Sequence, residues 1–107
     1  MSNDTNTNPL PPHISREDVL TVADFLMDVG HPAYDMSRAT VRYGRAIFDA
    51  FRRKHGRDPY TIRVAGAGPV KVYEKTDRPL MLDTYAEWSA RDRAKQTSQL
   101  KHSKESI

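Results

Sequence analysis

Asp35 to Gly56 reads DMSRATVRYGRAIFDAFRRKHG, and this stretch decides the fold. Met36, Thr40, Tyr43, Ile47, Ala50 and Phe51 recur at helical spacing and make one apolar face. Asp35 or Ser37 offers an N-cap, and Gly56 stands where a helix ends in the left-handed conformation. Arg38, Arg42, Arg45, Arg52 and Arg53 lie on the far side. At 100° per residue they share an arc of about 100°, interrupted by Asp49. The helix is therefore amphipathic, and its outer face is built of arginine.

Downstream, Tyr60-Thr-Ile-Arg-Val-Ala65 and Val70-Lys-Val-Tyr73 alternate as strands do. Gly66-Ala67-Gly68 between them is a hairpin turn whose glycines supply positive φ. Tyr60, Ile62, Val64, Val70 and Val72 are expected to point inward, and Arg63, Lys71 and Tyr73 to share the outer face. A last helix starts at Thr76 or Asp77, takes Pro79 in its first turn, and buries Met81, Leu82, Tyr85 and Trp88. Upstream, Ser15 with Asp18 three residues on reads as the capped start of a first helix. Its apolar face is Val19, Val22, Ala23, Leu26 and Val29; Glu17, Thr21, Asp24 and Asp28 lie opposite, and Gly30 and Pro32 end it. The expected fold is α+β: two N-terminal helices, a two-stranded wing-like β-hairpin, a C-terminal helix, and disordered tails.

A length of 107 residues allows one domain. Residues 1–13, rich in Asn, Thr and Pro, are expected to be a disordered tail, 14–90 a single small α+β domain, and 91–107 a basic disordered tail. So small a core is marginal, which favours dimerisation. Leu20 and Met27, like Val41 and Phe48, are apolar pairs seven apart that lie off the main apolar faces. They either form a homodimer or partner surface or close the core. The absence of cysteine excludes disulfides, thiolate zinc sites and a cysteine nucleophile, and points to a reducing, cytoplasmic setting. No apolar run approaches the ~20 residues of a membrane span, and Met1–Pro12 lacks the apolar core of a signal peptide.

Few residues suggest reaction chemistry. His13, His31, His55 and His102 are scattered without metal-ligand spacing. His31 and Asp35 read as a solvated capping pair, and Glu17, Asp24 and Asp28 as ordinary exposed carboxylates. Ala65-Gly-Ala-Gly68 lacks the third glycine, the lysine and the following helix of a phosphate cradle. Catalytic residues, metal ions and cofactors are therefore not expected, and neither is an enzyme.

Charge carries more information. The net charge of +3 conceals an acidic segment through residue 35, with Arg16 alone against six carboxylates. Residues 36–75 follow with ten Lys or Arg against Asp49, Asp58 and Glu74. A strongly basic centre suits a polyanionic partner, although pairing of acidic and basic elements within the fold explains the same pattern. Tyr43-Gly-Arg45, Lys54-His-Gly-Arg-Asp-Pro59, Val72-Tyr73 and Asp77-Arg-Pro-Leu80 resemble small accessory and antirepressor-type proteins of phages and mobile elements. The resemblance covers under half the chain and implies a regulatory role through DNA or protein binding, with no functional residue to carry over.

A basic helix followed directly by a hairpin is also the order of elements in winged-helix readers. The expected function is that of a small DNA-binding regulator in which Arg38, Arg42, Arg45, Arg52, Arg53, Arg63 and Lys71 contact double-stranded DNA. The connection from Gly30 to Asp35 is longer than a standard helix-turn-helix turn, and Leu26 occupies that motif's small-residue position, so a divergent reader is implied. The alternative is a protein-interaction module, an inhibitor or adaptor docking on a host protein through the same arginines. In that case the arginines serve solubility as well, with Asp49 paired to Arg45 or Arg53.

Overall fold

The computed structural model describes residues 8–66 and 68–105, with side chains as far as Lys95. It is an α+β fold of three helices and one antiparallel sheet. The elements run β1 (Val19–Thr21), α1 (Val22–Asp28), α2 (Met36–His55), β2 (Tyr60–Val64), β3 (Gly68–Glu74) and α3 (Arg78–Glu105).

The N-terminal half differs most from expectation. Ser15 does cap, accepting from the Glu17 amide at 3.2 Å, but it caps a single 3-10 turn, Arg16–Asp18. The chain then extends, and Val19, Leu20 and Thr21 pair with Glu74, Tyr73 and Val72. The first helix is the shorter α1, opened by a second capping box. Thr21 Oγ1 accepts from the Asp24 amide at 3.0 Å, and the Asp24 carboxylate accepts from the Thr21 amide at 3.3 Å. Two adjacent Ser/Thr-x-x-Asp signals compete locally, and pairing with β3 selects the second. Thr21 and Asp24 are therefore cap residues rather than members of an exposed face. At the other end, Gly30 (φ 78°) donates to Met27 and His31 to Leu26, a Schellman stop.

Helix α2 ends as its sequence predicts, at Gly56 with φ 70°. Its buried positions are Ala39, Tyr43, Ile47 and Phe51, spaced by four. Tyr43 stacks on Phe25 at 5.6 Å and donates its hydroxyl to the Met81 carbonyl at 2.8 Å, so its polar tip is satisfied in the core. Helix α3 closes the core with Met81, Tyr85 and Trp88, while Leu82, expected inside, is 41% exposed. Asp77, just before α3, is buried; His55 Nε2 reaches it at 2.9 Å, which ties the end of α2 to the start of α3.

The sheet has three strands in the order β1-β3-β2, one more than the hairpin alone. Tyr60 faces Val72, Ile62 faces Val70, and Val64 faces Gly68. Gly66 and Gly68 adopt the positive φ expected of the turn. Near the end of β3 both faces are covered. Val72 is buried on one side, and Tyr73, expected on the outer face, is buried on the other against Phe51. Parts of both expected tails carry backbone structure. Thr61 donates to Asn8 and accepts from Leu10, so residues 8–10 lie along β2. Helix α3 continues past residue 90 to Glu105. The expectation of disorder in residues 1–7 and 106–107 lies outside the described residues.

Candidate functional site

The arginines of α2 divide into two groups. Arg38 is a clamp. Its Nε and one terminal nitrogen donate to Asp35 at 2.7 and 2.9 Å, and its terminal nitrogens donate to Asp92 at 2.8 and 2.7 Å. The planar fork thus joins the start of α2 to α3 by two bidentate pairs. His31 extends the network: Nε2 meets Asp35 at 2.8 Å, and Nδ1 meets the Tyr85 hydroxyl at 2.8 Å. Neutral His31 can donate to Asp35 from Nε2 and accept from Tyr85 at Nδ1. Hydrogen bonds from Arg38 and then His31 hold the Asp35 carboxyl at about 2, against the opposing effect of burial. Arg38 likewise lowers Asp92, and the two carboxylates raise Arg38.

The sequence placed Arg38 among nucleic-acid contacts and the His31–Asp35 pair in solvent. In the structure the guanidinium is engaged by two carboxylates, and the His31 side chain, expected in solvent, is 9% exposed. A carboxylate, imidazole and hydroxyl in a row has the order of a relay, but burial raises the Tyr85 pKa, the opposite of what activates a nucleophile.

Arg52 is also engaged, with Nε 3.1 Å from Asp58. Arg57, over the Tyr60 ring at 4.4 Å, and Arg78, paired with Asp28, belong to the scaffold. Among the described residues, Arg42, Arg45, Arg53 and Arg63 form no ion pair. All four are exposed. Asp49 sits among them on α2 and, contrary to the bland reading, pairs with neither Arg45 nor Arg53. Lys71 is exposed on β3, with Nζ 5.2 Å from the Phe48 ring centroid.

Beside this basic face lies a groove of about 550 Å³. Its lining includes Val41, Gly44 and Phe48 of α2, Val64 and Val70 of the hairpin, and Val22 at the start of α1. Arg45 and Lys71 stand among the lining residues. Val41 is 61% exposed. Tyr73 also lines the groove, and its buried hydroxyl has no hydrogen-bond partner among the described residues. Such an orphan costs about 1–3 kcal/mol. Burial pushes this phenol well above its ordinary pKa, so it stays neutral.

The groove was only faintly legible beforehand. Val41 and Phe48 stood out as an apolar pair off the core face, and here both line it. Of the other pair, Leu20 packs against the core and Met27 is 63% exposed. Among the described residues, no group of three His, Asp or Glu could hold a metal ion, and no helix is long and apolar enough to cross a membrane. Compared with known protein families, with curated proteins and with solved structures, the chain has no significant match.

Proposed function

We propose that the protein is a small DNA-binding regulatory module that sets the outer face of α2 in a major groove and uses the β2–β3 hairpin as a wing. The observation that supports this is the division among the basic residues. Those that hold the fold together are paired, whereas Arg42, Arg45 and Arg53 form no ion pair among the described residues and lie along one helix face, with Arg63 and Lys71 on the hairpin that follows. From Arg42 to Arg53 the helix rises about 16 Å. A major groove about 12 Å wide admits such a helix, and arginine forks fit guanine edges and phosphates. Asp49, between the arginines, matches the amino group of cytosine. β1 pairs with Val72, Tyr73 and Glu74 of β3, which steadies the base of the hairpin.

The test is fluorescence anisotropy of a labelled random duplex at two salt concentrations. Five phosphate-neutralising side chains give a slope of log K against log salt of about −4 to −5. Arg42→Ala and Arg45→Ala reduce that slope by about one each without lowering the melting temperature. Absence of binding at low salt refutes the reading. The arginine face would then serve docking on another protein, for which the mixed charge introduced by Asp49 is the supporting feature.

A further inference from the structure

We propose that the groove between α2 and the hairpin is a binding site for an amphipathic carboxylate, an apolar chain or ring system ending in one anionic group. The volume of about 550 Å³ lies within the roughly 300–1,000 Å³ typical of small-molecule pockets. At about 30 Å³ per water-sized unit it accommodates roughly 15–20 non-hydrogen atoms.

The lining defines the chemistry. Its hydroxyl-bearing threonines are engaged at home: Thr21 accepts from the Asp24 amide at 3.0 Å, and Thr40 donates to the Met36 carbonyl at 2.7 Å. Two cations, Arg45 and Lys71, and the unpartnered Tyr73 hydroxyl remain. Apolar walls with two positive groups and no acidic one are complementary to an apolar body with a negative head.

Gly44 supports the same conclusion independently. A glycine inside a helix is unfavourable relative to alanine. The fold does not call for one here, because a Cβ would meet only the Val22 methyls at 3.9 and 4.0 Å, ordinary contact distances. What the missing side chain does is keep the α2 wall of the groove low. The site does not depend on the nucleic-acid reading, although both draw on Arg45 and Lys71.

Isothermal titration calorimetry of dodecanoate, below its micellar range, into the full chain tests the proposal. Dodecyltrimethylammonium, with the same tail and the opposite head charge, is the control. Saturable one-to-one binding of dodecanoate is expected, with the ammonium at least about tenfold weaker. Gly44→Leu fills the groove and abolishes binding. Arg45→Gln, on the solvent side, weakens it about tenfold, and supplies the result if Gly44→Leu fails to fold. Gly44→Ala melts no lower than the wild type, which shows that the glycine is not there for the fold. Equal affinity for the two head groups, unchanged binding by a folded Gly44→Leu, or unchanged binding by Arg45→Gln overturns the proposal. So does the absence of saturable binding, which leaves the groove to a protein surface.

Discussion

Arg38→Ala separates a structural arginine from a ligand-binding one. In the folded protein Arg38 makes four short hydrogen bonds to Asp35 and Asp92, whose side chains are each 19% exposed. Truncation removes the guanidinium that these two carboxylates share. The Asp35 pKa, lowered from 3.8 to about 2, corresponds to at most about 2.5 kcal/mol of linked stability at neutral pH. Solvent at the edge of the clamp screens part of this, so a loss of about 1–2 kcal/mol is expected. Both carboxyls titrate below their unfolded values. The contribution of the clamp is therefore complete above about pH 5 and disappears as the pH falls toward 2. Urea unfolding at pH 7 and at pH 2.5 is the assay. The difference between wild type and Arg38→Ala should be largest at pH 7 and shrink in acid, and a thermal melt at pH 7 should fall by roughly 4–16 °C. A variant that unfolds with the wild type at both pH values, yet loses affinity for a duplex, would refute the clamp and return Arg38 to the binding surface.

Other expectations concern the core and the orphan hydroxyl. Trp88→Ala and Ile47→Ala remove buried side chains and should each cost about 2–5 kcal/mol. Unchanged thermal melts would show that the core lies elsewhere. Tyr73→Phe deletes the unpartnered hydroxyl and should leave stability the same or raise it by about 1 kcal/mol. A loss of more than about 1 kcal/mol in urea unfolding would mean that the hydroxyl has a partner in solution.

Much of the fold was legible because the signals that specify it are local. The limits of α2 follow from apolar spacing and from Gly56, and the hairpin follows from alternation around two glycines. Reading failed where local signals were ambiguous or too short. Ser15-x-x-Asp18 and Thr21-x-x-Asp24 are both plausible helix starts, and the three residues of β1 are too few for alternation to declare a strand. Tyr73 was expected on the outer face because simple alternation assumes one solvated face, whereas the end of β3 is covered on both.

The candidate site shows the same division. The sequence by itself determined that one helix carries a stripe of arginines and that a basic hairpin follows it, since both are matters of residue spacing within a few positions. It could not determine which arginines are engaged. Arg38 and Arg42 are one helical turn apart with the same side chain; Asp35 is a local partner for the first, but Asp92, which ties it to α3, lies 54 positions away. The groove is likewise a product of assembly. Its lining comes from α1, α2 and the hairpin, elements that the fold joins by contacts such as the pairing of β1 with β3 across some fifty residues of chain. Helix phase and capping are settled among near neighbours along the chain, whereas ion pairing and enclosure depend on which distant residues the fold brings within a few ångströms.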